Sequence, residues 1–309
     1  MKTRNTDYYG YLFVHFVGES EIGEQIYFSI SKDGLHWQDL NNGEPVLYST
    51  IGELGVRDPF IIRSEDEEKY YIIGTDLRIA NEKGWHVAQH EGSRDLLVWE
   101  SNDLVHWSEV RNITVGVPGA GCVWAPEAIY DKDNKDYFVF WASMVKSGEY
   151  NEPKQVMYYS RTKDFKHFTE AKRYIERDNH VIDTTMIEES GIYYRYSKDE
   201  STKNIRIDRA DQLTDTTFVE LHKPTVENLM GVEGPIIFKF NDREEWCLLV
   251  DQYATMKGYL PLITSDLENG DFRVLEPEEY CMGNTKKRHG SVLKITENEY
   301  NQLVNKYHI

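Results

Sequence analysis

The chain has 309 residues, 53 of them Asp or Glu against 35 Lys or Arg, for a formal net charge of −18. That acidity disfavours non-specific binding to nucleic acid, and 40% hydrophobic with 28% charged residues excludes a disordered chain. No run of about 18 apolar residues occurs and the opening MKTRNTDYYGYLFVHF lacks a signal-peptide pattern, so a cytoplasmic protein with no membrane partner is expected.

The first predicted strands are YLFVHF (11–16) and IYFSIS (26–31), closed by the turn SKDGLHW (31–37). Next comes RDPFII (57–62), a polar tip SEDEEK (64–69) and the strand YYIIGT (70–75). A long insertion (76–95) carrying Trp85 and His86 follows, and then SNDLVHW (101–107). The same order recurs. WAPEAI (124–129) leads through DKDNKD (131–136) to YFVFWA and SRTKDFKHF (160–168). IDTTMI (182–187) leads through EESG (188–191) to IYYRYS and RADQLTDTTF (209–218), and VEGPII (232–237) through NDREE (241–245) to WCLLVD and TSDLENGDF (264–272). The recurring polar runs read as solvated hairpin tips. RHGSVL (288–293) is a further first strand with no partner after it, and the only helix expected is the tail, opened by the Thr296 and Glu299 capping box and ending near Lys306.

The closing aromatics Trp37, Trp107, Phe168, Phe218 and Phe272 are spaced 70, 61, 50 and 54 residues apart, near the roughly 40–50 residues of a propeller blade. Five first strands and five third strands, with the first strand of one blade supplied by the C-terminal end, predict an all-β, five-bladed β-propeller closed by pairing of N- and C-terminal strands in one blade. No Gly- or Pro-rich linker divides it, so residues 1–309 are expected to form a single domain. Cys122, Cys247 and Cys281 are too far apart for a zinc or disulfide framework and read as small buried hydrophobes.

The innermost strand of a blade lines the central channel. With Ile62, Ile129, Ile187, Ile237 and Leu293 in register, the residues four positions earlier are Asp58, Ala125, Asp183, Glu233 and His289. Packing several carboxylates together is costly, so the ring points to acid/base chemistry. Inverting glycoside hydrolysis uses a carboxylate base and a carboxylic acid about 6.5–9.5 Å apart, and a third carboxylate beside the acid would raise its pKa. Arg57, Trp124 and Arg288 flank the ring as candidate sugar contacts. Arg195, a charge in a Tyr-rich strand, is a further candidate with Asp183 or Glu233 as its expected partner, the alternative being a salt bridge between blades. Trp85 and His86 are expected to overhang the pocket.

At these residues the sequence resembles glycoside hydrolase family 43, five-bladed propellers that cleave arabinose- and xylose-containing glycans with inversion. The resemblance implies Asp58 as general base, Asp183 as pKa modulator and Glu233 as general acid, in an exo-acting enzyme releasing terminal α-L-arabinofuranose or β-D-xylose from small oligosaccharides. It implies no required cofactor, and it places His289 where the family histidine faces a water or a bound cation, a structural calcium or sodium. WAPE (124–127) resembles the second-blade strand, which carries no catalytic carboxylate in the family. Arg-Asp-Pro (57–59) also resembles the retaining fructan and sucrose hydrolases, in which that Asp is not the base, but their Asn-Asp-Pro nucleophile segment and Glu-Cys acid motif have no counterpart here. A galactofuranoside-specific glycosidase and a catalytically inactive propeller that binds glycan or protein are the other readings left open.

Overall fold

The computed structural model describes residues 7–146, 152–215 and 219–309; Phe218, in the fourth copy of the turn repeat, lies outside them. Five antiparallel four-stranded sheets are arranged as blades. Blade 1 runs Val56–Arg63, Tyr70–Asp76, Asp95–Ser101 and Arg111–Thr114. The first strands of blades 2, 3 and 4 are Trp124–Asp131, Val181–Glu189 and Glu233–Lys239. Blade 5 pairs Gly290–Ile295 with Gly10–His15, so the two ends of the chain close the ring as the repeat predicts. The five first strands neighbour one another in sequence order around the axis.

The middle strands are buried almost throughout, as in Tyr70–Asp76, Asp136–Val145 and Trp246–Asp251. A blade is sandwiched between two others, so both faces of its strands are covered and the sequence reads as a continuous apolar run. The period of two survives in which interface each residue enters. Phe138 and Phe140 pack toward blade 3 while Val139 and Trp141 pack toward blade 1. Leu248 and Val250 face blade 3, and Cys247 and Leu249 face blade 5. The hydrophobic core therefore consists of five clusters, one in each seam between blades.

The turn repeat joins third to fourth strands. In three copies an Asp carboxylate accepts from two backbone N–H groups and pairs with the His three residues on: Asp33 with His36, Asp103 with His106 and Asp164 with His167. Cys122 and Cys247 are buried as expected, but Cys281 is exposed. It lies in the loop beside blade 5, where its backbone pairs with Leu35 and Trp37 and its side chain is left outside.

Three helices of the described residues lie outside the blades: α1 (Trp85–His90), α2 (Pro224–Glu227) and α3 (Glu297–Tyr307). The first two were not expected, being too short to show a helical period. α3 carries the expected capping box, and Glu299 also pairs with Arg63 of blade 1 at 2.7 Å, tying the tail across the closure seam. No helix of the described residues is long and apolar enough to cross a membrane.

Candidate active site

Each first strand of blades 1 to 4 enters the channel through a bulge. Asp58, Ala125 and Asp183 adopt left-handed backbone with φ of 50°, 48° and 50°, and Gly234 does so at 52°. The ladder register shifts at each of these points. A left-handed bulge aims one side chain at the axis, and Asp tolerates it better than most residues. The equivalent position in blade 4 is Gly234, so Glu233 lies one residue earlier than the aligned aliphatic pairs imply and matches Arg57, Trp124 and Ile182. Gly is required there, because an added Cβ would lie 2.8 Å from the His289 ring.

Asp58, Asp183 and His289 meet at the axis. His289 Nδ1 is 3.5 Å from Asp58 Oδ1 and 3.8 Å from Asp183 Oδ1. Asp58 Oδ2 also accepts from Thr75 Oγ1 at 2.9 Å, and Thr75 Oγ1 in turn accepts from the Ala125 N–H at 2.8 Å. Asp183 Oδ2 accepts from the Gly234 N–H at 3.2 Å. Burial works to raise the Asp58 carboxyl, but the His289 hydrogen bond and charge, with Arg57 and Thr75, hold it below the usual carboxylate range. Asp183 goes the other way, raised by burial and by the Glu233 and Asp58 charges against the pull of His289 and Lys198. Burial opposes a charge on His289, yet chiefly Asp183 and Asp58 raise it to about 9, so it is a cation at neutral pH.

Glu233 is the most open of the three expected catalytic carboxylates, with a side chain 19% exposed against 15% for Asp58 and 10% for Asp183. Its oxygens take two cations: Arg288 donates to Oε1 at 2.9 Å and Lys198 to Oε2 at 2.7 Å. Arg288 is fixed in turn by Asp251 at 2.5 Å. Burial raises Asp251 to about 6 against the opposing pull of Arg288.

Arg57 and Trp124 form a rim with the insertion. Arg57 pairs with the buried Glu24 at 2.9 Å, and its guanidinium lies 4.5 Å from the Phe16 ring centre and 5.0 Å from that of Trp85. Trp85 meets Trp124 edge to face at 6.0 Å and remains 43% exposed. Glu24 also accepts from the Ile79 and Ala80 N–H groups, anchoring the start of the insertion to the arginine beside Asp58. His86 packs on His90 within α1 rather than on this rim.

Arg195 is corrected. It donates to Asp208 Oδ1 at 2.7 Å across adjacent strands of blade 3 and packs over the Tyr174 ring, so neither Asp183 nor Glu233 is its partner and it is a salt bridge inside a blade. The donor set at His289 does not fit a cation either. Among the described residues no group of three or more His, Cys, Asp or Glu is placed to hold one, and Nδ1 faces two carboxylates as a cation.

Four residues of the site escaped the sequence reading: Thr75, Lys198, Asp251 and Glu127. Glu127 is buried, hydrogen-bonds Thr185 and is pushed by burial up to about 8, so it is a neutral acid at pH 7. With Glu127 neutral, the carboxylates of Asp58, Asp183, Glu233 and Asp251 face the cations His289, Lys198, Arg288 and Arg57. The signal for Glu127 was its place two residues after Ala125; for Lys198 and Asp251 it was a charge at the end of an otherwise apolar or aromatic strand.

The family model described as "Probable glycosyl hydrolase domain", of the glycosyl hydrolase 43-related type, matches residues 6–301. The chain belongs to that family. An α-L-arabinofuranosidase of Bifidobacterium longum subsp. longum is 31% identical over 300 residues, covering 82% of this chain and 28% of the relative, so the chain spans little more than a quarter of that protein. The fold is shared with a family 43 β-1,3-galactosidase at a TM-score of 0.61 and 10% identity, covering 86% of this chain and 56% of that one. It is also shared with an α-L-arabinofuranosidase of Podospora anserina, solved in complex with cellotriose, at 0.53 and 12%, covering 75% and 71%.

Proposed function

We propose that this glycosyl hydrolase 43-related protein is an inverting, exo-acting glycoside hydrolase that releases terminal α-L-arabinofuranose or β-D-xylose from small oligosaccharides. The observation that carries the reading is the division of labour at the axis: a part-buried Asp58 of blade 1 held ionised beside His289, and a more open Glu233 on blade 4, across blade 5 from it. In this reading Asp58 takes a proton from water as that water attacks the anomeric carbon. Glu233 gives its proton to the glycosidic oxygen as the bond to the anomeric carbon breaks, leaving a free sugar and a shortened alcohol. Asp183 orients the centre through His289 and the Gly234 N–H. Bonds and protons balance with side chains and water alone, so no cofactor is required.

Arabinofuranose is favoured by the name of the Bifidobacterium longum relative. The wall made by Trp85 and Trp124 beside Arg57 supports exo action by narrowing the approach from one side. Hydrolysis of aryl α-L-arabinofuranoside, β-D-xyloside and β-D-galactoside tests the reading, with Glu233→Ala in parallel on an oligosaccharide whose leaving group needs a proton. Release of one sugar by the wild type and a loss of at least about 100-fold in the variant are expected, within the usual worth of general acid catalysis. No release from any of the substrates, or an undiminished variant, would overturn it.

A further inference from the structure

Lys198 has no place in the division of labour just described, yet its side chain is only 3% exposed and lies against the acid. It is the penultimate residue of the middle strand of blade 3, Ile192–Asp199, cross-strand from Ile182 and so beside Asp183. Its Nζ is 2.7 Å from Glu233 Oε2 and also 2.7 Å from Glu200 Oε2, and it lies 4.3 Å over the Tyr253 ring. Two carboxylates thus share one ammonium. Glu233 belongs to the reaction centre, whereas Glu200, on the hairpin after the strand, is held from its other side by Lys203.

An acid that must hold a proton in one half of the cycle and a negative charge in the other needs a neighbour that tolerates both. A lone buried lysine would not, because protonating Glu233 would leave its ammonium buried without a counter-ion. Glu200 prevents that, since Lys198 keeps an ion pair whichever state Glu233 is in. Arg288 cannot play this part, because its rigid guanidinium holds Asp251 through Nε and Glu233 through Nη2 at once, while an ammonium on a flexible stem can shift its weight between two acceptors.

We infer that Lys198 is a positioning residue that sets when Glu233 carries its proton, by trading its ion pair between Glu233 and Glu200. With the lysine drawn to Glu200, Glu233 keeps the proton it will donate; once that proton has passed to the leaving oxygen, Lys198 pairs with the carboxylate left behind. The other titratable and charged groups facing this pair are Asp183 from blade 3's first strand, Tyr253 after blade 4's middle strand, Arg288 and Asp251 beyond Glu233, and Lys203 and His180 around Glu200. Burial opposes the charge on Lys198, but Glu233, Asp183 and Glu200 raise its pKa above the ordinary value.

The inference rests on Glu233 being the acid, and it makes two substitutions act in opposite directions. Lys198→Met removes the cation and lets Glu233 hold its proton to higher pH; Glu200→Gln leaves the cation to Glu233 alone and has the reverse effect. The Glu233 carboxyl is titrated by ¹³C NMR on glutamate-labelled protein, with Glu233→Gln as the blank, and the alkaline limb of kcat/KM is recorded for the same proteins. The expected result is a rise of at least one pH unit for Lys198→Met and a fall of at least half a unit for Glu200→Gln in both readouts. Unmoved titrations, or shifts of one sign in both variants with only a lowered Tm, would overturn the inference while leaving Glu233 as the acid. If Glu233→Ala keeps full activity on substrates with poor leaving groups, the functional reading falls and the inference with it. Should Lys198→Met fail to fold, Glu200→Gln decides alone by the same titration.

Discussion

At the scale of single residues, the site is built on backbone that most side chains avoid. Asp58, Ala125 and Asp183 are held at positive φ, each at a cost on the order of 1 kcal/mol, and the bulges they form are what turn two carboxylates inward. Gly234 is the fourth member of that set and has both the angle and the space to require glycine. Gly234→Ala is expected to destabilise the protein by about 2 kcal/mol or more and to displace His289 from Asp58, read as a lowered denaturation midpoint together with a raised acidic limb of kcat/KM. Glu127 makes the opposite prediction. As a buried neutral acid it is matched in shape and hydrogen bonding by an amide, so Glu127→Gln should keep stability within about 0.5 kcal/mol at about pH 4, raise it toward neutral pH where the unfolded glutamate ionises, and retain most activity, whereas the same change at Glu233 should abolish turnover on oligosaccharides. A dead Glu127→Gln of full stability would show that Glu127 is ionised or takes part in proton transfer.

At the scale of elements, the repeat made the blades legible and the bulges did not. Hairpin tips, turn aspartates and strand order could be read because each recurs at one place per repeat. Blade 4 slipped by one residue because its aliphatic pair, Ile236 and Ile237, follows a proline and invites alignment on the wrong member; the glycine of Glu-Gly-Pro was the available signal, since only that residue replaces Asp or Ala at the left-handed position. Lys198 stayed hidden because Ser-Lys-Asp-Glu (197–200) is a polar end to a Tyr-rich strand and carries no motif, and Arg195 was misplaced because its partner Asp208 lies in the next strand, directly opposite, and carries no motif either. The insertion is the element that most concerns specificity. Glu24 bolts its start to Arg57, and α1 hangs Trp85 over the rim. Trp85→Ala removes an exposed ring from that wall while leaving the blade seams intact, so it should reduce kcat/KM about tenfold on a cleaved oligosaccharide, chiefly through KM, with Tm unchanged within about 2 °C. An unaltered KM would detach the insertion from substrate.

At the scale of the whole molecule, five apolar seams and one closing blade carry the fold, and buried titratable groups set its pH range. His15 donates or accepts only within the protein, between the Phe16 carbonyl and Ser29, and burial drives its pKa down to about 3. Unfolding lets it take a proton below about 6.5, so its contribution is lost as pH falls from there toward 3. His289 has the opposite sign. Its pKa of about 9 lies above the unfolded value, so its contribution is complete below about 6.5 and lost as pH rises through 9. Glu127, raised to about 8, keeps a proton that the unfolded chain releases, and it too weakens the fold as pH rises from about 4.5 to 8. Thermal midpoints taken from pH 3 to 10 should therefore form a dome centred near pH 6, with the alkaline arm flattened by His289→Asn; a profile level across that range would contradict the protonation states assigned to the channel.

The central claim is that Asp58 directs water to the anomeric carbon on the face opposite the oxygen protonated by Glu233. Proton NMR of the first sugar released from an aryl α-L-arabinofuranoside, followed before mutarotation, tests this most directly. The account predicts β-L-arabinofuranose as the first product, or the corresponding inverted anomer if xylose is the preferred sugar. First appearance of the retained anomer would contradict it, because one of these carboxylates would then be a nucleophile and Asp58 would no longer be the base.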